Sequence, residues 1–164
     1  MNTHWARALI GLGALLVLAA VNFAIVGKER IRRDGETVYL SLAPVDPRSL
    51  VQGDYMALRF ALAQELARSR GNTDTPPRDG ETRFAAVALD AQRVARLAAV
   101  DAPAALKLRY RIRGGHVWLG TNAFFFEERS AARFGAARYG EFRVDRASDE
   151  AVLVGLRDAA LGAL

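Results

Sequence analysis

From Ala8 to Gly27 the chain is apolar throughout, and Asn22 is the one clearly polar side chain in that run. Twenty residues of helix at about 1.5 Å each span roughly 30 Å, the hydrocarbon thickness of a bilayer. A helix buried in a soluble core would carry a polar stripe, and this run has none. The pattern predicts a membrane-inserted segment. Cleavable signal sequences have shorter apolar stretches that end at a small-x-small site. Here Val21, Asn22, Phe23 and Ile25 interrupt any such site, so a retained anchor is expected. Trp5, just before the run, suits the membrane interface.

Beyond residue 34 the period changes from continuous to two. "ETVYLSL" (36–42) alternates Val38, Leu40 and Leu42 against Tyr39 and Ser41, and "YMALRFAL" (55–62) alternates Met56, Leu58, Phe60 and Leu62. Both predict half-buried strands, and 63–68 extends as a short helix. "RFAAVAL" (83–89) reads as a strand, and residues 91–100 as its return arm, although their alanines also suit a helix. "LKLRYRIR" (106–113) sets Leu106, Leu108, Tyr110 and Ile112 strictly against Lys107, Arg109, Arg111 and Arg113. Gly114-Gly115 then forms a two-residue hairpin turn. "HVWLGTNAFFF" (116–126) supplies the partner strand or pair of strands. Residues 127–140 take helical spacing with Gly140 as a stop, and 141–145 with 151–156 form a last hairpin around "RASDE". Proline-, glycine- and asparagine-rich stretches at 43–54 and 69–80 are loops.

The elements predict a mainly β (α+β) protein. Residues 1–34 form a membrane anchor with a basic juxtamembrane segment. Residues 35–164 form a single small antiparallel β barrel or sandwich with one short helix.

Charge changes this picture only at the junction. Residues 1–34 carry five basic and two acidic side chains, while the other 18 basic and 16 acidic residues nearly balance. So even a distribution does not favour nucleic acid, which needs a clustered basic excess. The basic stripe of residues 107–113 is a solvated strand face, or else meets anionic lipid or an acidic partner. Lys28, Arg30, Arg32 and Arg33 follow the apolar run, against Arg7 before it. The positive-inside rule taken literally keeps the domain cytoplasmic. An uncleaved N-terminal signal ordinarily exports the domain attached to its C-terminal end, and on that ground we expect an extracytoplasmic domain. There is no cysteine, and His4 and His116 lack a second histidine at ligand spacing, so neither thiol chemistry nor a metal site is expected.

The most distinctive stretch is "ETVYLSLAPVDPRSLVQGDYMALRF" (36–60), followed later by "TNAFFFEERSAARFGAARYGEFRVD" and "AVLVGLRDAAL". It resembles the bacterial GDYXXLXY family, with the motif at Gly53, Asp54, Tyr55, Met56, Ala57, Leu58, Arg59 and Phe60. The last position holds Phe where the family name has Tyr. The resemblance covers most of the chain. It implies a protein of the bacterial inner membrane with no assigned activity, cofactor or catalytic residue, considered alongside multi-spanning membrane proteins.

There is also a faint similarity to signal-peptidase-like serine–lysine proteases. It sets Val45 where the nucleophile should stand, and valine has no attacking oxygen. Ser49 would have to substitute, with a base drawn from the only two lysines, Lys28 or Lys107. A nucleophile needs its base within hydrogen-bond reach. No catalytic residue is assigned on this basis. A degenerate or unconventional hydrolase is the alternative to the main expectation, a membrane-anchored binding or regulatory module with a membrane-protein partner. For that module the contact residues are Asp46, Arg48, Gly53, Asp54 and Tyr55. Asp54 either accepts backbone N–H groups in a tight turn or contacts a ligand, and Gly53 suits a positive φ. Arg48 presents a guanidinium fork to an acidic group. Asn22 bonds either to its own helix or to a neighbouring membrane helix.

Overall fold

The computed structural model describes residues 3–43, 51–52, 55–70, 78–99, 103–127 and 130–164. Helix α1 (Thr3–Asp34) takes up the whole apolar run. It is long and apolar enough to cross a bilayer, with mean hydropathy 2.6 in its best window and no side chain of that window buried. Leu15, Val17, Phe23 and Val26 all stand exposed.

Only Gly35 separates α1 from β1 (Glu36–Ser41). Its amide closes the helix by donating to the Ile31 carbonyl at 2.9 Å. Ile31 itself is buried. A Cβ at position 35 would collide with the Ile31 carbonyl oxygen and lie 3.0 Å from the Val144 amide. The helix end is therefore packed directly on the sheet, with no linker.

That sheet has the order β1–β9–β10, all antiparallel, with β9 (Tyr139–Asp145) central and β10 (Glu150–Arg157) joined to it by a tight hairpin. The Asp145 carboxylate accepts the amides of Ala147 and Ser148 and so fixes the turn. A second sheet has the order β5–β4–β6–β7, built from β4 (Thr82–Leu89), β5 (Ala95–Leu97), β6 (Leu106–Arg113) and β7 (His116–Trp118). The Tyr39 amide donates to the Arg93 carbonyl at 3.0 Å at one margin, and the Arg109 amide to the Asp149 carbonyl at 2.7 Å at the other. These stitches curl the antiparallel strands into a half-barrel. A small sheet of β2 (Val51–Gln52), β3 (Tyr55–Ala57) and β8 (Ala123–Phe125) lies beside it.

The inward side chains of these strands form one buried cluster, including Val38, Leu40, Val87, Leu108, Ile112, Phe142 and Val144. Phe60 meets Phe142 edge-on at 5.3 Å. Helix α2 (Ala61–Arg70) adds Leu62 and Leu66 to the cluster, and α3 (Ala131–Phe134) adds Phe134.

The β-rich expectation holds and the apolar run is one long helix, a candidate membrane span, with three local corrections. The strand expected over 55–62 ends at Ala57, and α2 begins at Ala61. Met56, Leu58, Phe60 and Leu62 are all buried as alternation required. Leu62 and Leu66, one turn apart among alanines, then continue inward as a helix. The helical stretches expected at 63–68 and 127–140 appear as α2 and α3, the second only four residues long. Gly140 is no helix stop but a packing position within β9. A Cβ there would lie 2.9–3.1 Å from Phe60, Phe142 and Leu153. The stretch 116–126 resolves into a pair of strands, β7 and β8, in different sheets, separated by Gly120 at φ +73°.

Candidate functional site

Strand β6 alternates buried and outward residues along its full length, so Lys107, Arg109, Arg111 and Arg113 share the outer face. Gly114 and Gly115, at φ +53° and +76°, take the doubly left-handed turn that matches strand twist. The hairpin pairs Arg111 with Trp118. The Arg113 guanidinium lies 5.3 Å above the Trp118 ring, a cation–π contact that holds it in place. On the other flank β4 sets Phe84, 56% exposed, opposite Arg109. The basic face thus carries two aromatics contributed by neighbouring strands.

Strand β7 covers only the far end of β6. Nearer its start, β6 borders the beginning of β10, and between β7 and β10 lies a cleft of about 440 Å³. Its lining includes Arg109, Arg111, Arg113, Trp118, Glu150 and Lys28. Glu150 accepts from Lys28 and, at 2.5 Å, from Arg109. Burial pushes the Glu150 carboxyl up, but the hydrogen bond and charge of Lys28 and the charge of Arg109 outweigh it and hold the group below its ordinary value. Arg111 has no ion-pair partner among the described residues. Lys28 is the first residue after the apolar run, so one carboxylate ties the end of that run to the basic stripe.

A second cleft, of about 770 Å³, lies between α1 and the β9–β10 turn, with Phe23, Ala24, Gly27 and Ile31 on its apolar side. Lys28 and Glu150 border both clefts. Close by, Glu36 is gripped by Arg93 and Arg146, the latter at 2.5 Å. The hydrogen bond from Arg146, joined by one from Arg93, keeps its carboxyl below the ordinary value against the opposing effect of burial.

Of the residues singled out by sequence, Asp46, Arg48, Gly53 and Asp54 lie outside the described residues. Tyr55 stands on β3, 37% exposed, paired in register with Phe125, whose ring lies 5.9 Å away. The Asn22 side-chain amide donates to the Leu18 carbonyl at 2.9 Å, within its own helix. His116 contacts the Gly114 carbonyl at 2.7 Å. No group of three potential metal ligands occurs among the described residues.

Sequence reasoning missed Glu150, Trp118 and Phe84. Trp118 was within reach, because hairpin register across Gly114-Gly115 sets it against Arg111. The Lys28–Glu150 pair joins residues 122 positions apart, and nothing local signals it.

A curled β domain mounted without a linker on a single bilayer-length helix, with cations gathered at the joint, defines a class of helix-borne β proteins. Within that class the chain belongs to the GDYXXLXY family: the model described as GDYXXLXY protein matches residues 17–156. No curated protein and no solved structure matches the chain. The matched region starts midway along α1 and ends in β10, so helix and domain are a single family unit.

Proposed function

We propose that the protein is a non-catalytic, membrane-anchored binding or regulatory module whose partner is a multi-spanning membrane protein. The observation that carries this reading is the rigid joint. Ile31 is buried against the sheet and Gly35 admits no side chain, so a domain borne by a membrane-spanning α1 keeps one attitude to the bilayer. A fixed attitude serves recognition of a partner in the same membrane, because it lowers the ordering cost of association. The aromatic pair of motif residue Tyr55 with Phe125 offers an exposed contact, and Asn22 offers a polar one within the span. We set the domain on the extracytoplasmic side, which a reporter fused after Leu164 tests.

Photo-crosslinkers at positions 22 and 55 of the full chain, irradiated in native membranes, test the reading. Adducts from both positions with one multi-spanning protein, that from position 55 weakened by Asn22→Leu while the melting midpoint stays unchanged, are the expected result. Extraction of the full chain from membranes without detergent overturns the anchor. Adducts with lipid alone overturn the partner.

A further inference from the structure

We propose that the cleft between β7 and β10 holds the phosphate of an anionic lipid headgroup, drawn from the leaflet at which α1 ends. The inference rests on the reading of α1 as a membrane span.

Charge is the first support. Lys28, Arg109, Arg111 and Arg113 line the cleft against the single carboxylate of Glu150, a formal excess of three. Glu150 serves Lys28 and Arg109, which leaves Arg111 and Arg113 as the uncompensated pair. Guanidinium forks match phosphate oxygens in geometry as well as charge. The Trp118 ring braces Arg113 and so reduces the freedom it would lose on binding.

Position is the second. The apolar run ends at Gly27, and the next side chain, Lys28, reaches Glu150. The near end of the cleft therefore sits where the hydrocarbon gives way to headgroups, a layer roughly 5–8 Å deep on each side. Arg111 lies two residues along β6 from Arg109, about 7 Å at strand rise, within that depth even for a strand along the membrane normal. On the other side of the Lys28–Glu150 pair, the second cleft presents Phe23, Ala24 and Gly27, an apolar wall against which acyl chains can lie. Trp118 is the ring type favoured at such an interface. The volume of about 440 Å³ falls within the range of small-molecule sites.

Tethering is the third. Because α1 runs into the sheet without a linker, the cleft faces the headgroup layer at high effective concentration. An acidic protein or a nucleic acid must reach the same cations by diffusion.

The test uses the full chain in mild detergent, offered equal amounts of phosphatidylglycerol and phosphatidylcholine, with retained lipid counted by native mass spectrometry. We expect at least a tenfold preference for the anionic lipid. Each basic side chain near an anionic surface contributes about fivefold, so Arg111→Glu/Arg113→Glu should bring the preference to near parity. Arg68→Glu/Arg138→Glu, the same charge change outside the cleft, should retain it. In a Trp5→Phe background the emission of Trp118 should shift as phosphatidylglycerol is added and not as phosphatidylcholine is.

Melting midpoints of all variants are compared. If the charge reversal lowers the midpoint, Arg111→Gln/Arg113→Gln replaces it, with a partial loss expected. Parity in the unmodified chain, or equal loss in the Arg68/Arg138 pair, overturns the proposal. Glycerol phosphate that displaces the lipid at matched concentration assigns the cleft to a soluble phosphate instead, and an acidic peptide that competes better assigns it to a protein. Both overturn the lipid assignment. A chain soluble without detergent sinks the anchor reading, whereas an inserted chain without lipid preference sinks this proposal alone.

Discussion

Gly35→Ala tests the rigid joint directly. The new methyl would sit inside the contact distance of the Ile31 carbonyl oxygen and 3.0 Å from both the Val144 amide nitrogen and the Arg143 Cβ. Two of these three obstacles are backbone atoms, which cannot rotate away as a flexible side-chain tip can. Relief requires α1 to move off β9. That movement breaks the 2.9 Å bond from the Gly35 amide to Ile31 and the 3.3 Å bond from Arg143 to the Gly35 carbonyl. Overpacking of this kind costs about 1–3 kcal/mol, and each lost hydrogen bond about another 1 kcal/mol. A total near 4 kcal/mol, at roughly 3–4 °C per kcal/mol for a domain of this size, lowers the melting midpoint by about 14 °C.

The assay is intrinsic fluorescence of Trp118 in the Trp5→Phe background, with the full chain in detergent. Gly27→Ala is the control: nothing lies within 4 Å of a Cβ there, so the midpoint should hold or rise slightly with the gain in helix propensity. The chain has no cysteine, so nitroxides placed at Val26→Cys and Arg96→Cys report the helix-to-sheet distance without background. One narrow distance is expected in the parent chain and a broadened one in Gly35→Ala. A midpoint within about 2 °C of the parent, together with an unchanged distance, would refute the reasoning, since that shift corresponds to well under 1 kcal/mol.

Two further predictions concern ion pairs. The folded-state pKa values of Glu36 and Glu150 lie below the ordinary 4.5. Their stabilisation is therefore complete above that value and is lost as the pH falls through the lowered ones. The midpoint should be insensitive to these groups between pH 6 and 8 and fall below about pH 4.5, and Glu36→Gln/Glu150→Gln should flatten that fall in a pH series of melts. Glu141 is the charged side chain that is buried among the described residues, and the Arg157 Nε donates to it at 2.7 Å. Arg157→Ala leaves a carboxylate whose nearest remaining cation is Arg143 at 3.8 Å, and should cost about 3 kcal/mol by denaturant titration. Adding Glu141→Gln should restore part of that loss, and a strictly additive double variant would sink the account.

Periodicity carried most of the fold because alternation fixes which side faces inward whatever the partner. Strand β6 is the clearest instance, buried at every even residue from Leu106 to Ile112. The last hairpin, read as two apolar runs about "RASDE", is the β9–β10 pair. Alternation could not mark where the strand stopped, since Leu62 continues the i, i+2 series from Met56 and also shares a helix face with Leu66. Gly140 misled because a glycine that stops a helix and one that makes room for Phe60 look alike until the packing is known. The motif loop with Asp46, Arg48, Gly53 and Asp54 lies outside the described residues, so its part in the site stays with the sequence. The basic stripe was legible as a row of cations. Its partner Glu150 was not, because that contact depends on how β10 meets β6.

That contact gives the stripe its meaning. A row of arginines on a strand exposed to water needs no explanation beyond solubility. Here the row begins at a carboxylate that also holds Lys28, the first residue after the apolar run of α1. Exposed ion pairs contribute little to stability, so the shared Glu150 is a weak fastener beside the packing of Ile31 and Gly35. Its larger effect is electrostatic. By engaging Lys28 and Arg109 it offsets one of their two charges and leaves two of the cleft's three net positive charges on Arg111 and Arg113, farther along β6. Joint and charge act together, for a hinged domain could turn the same cations away from the bilayer. A variant with a flexible insert after Asp34 would keep the β6, β7 and β10 residues of the cleft while releasing Lys28 and the fixed attitude, and should lose its lipid preference.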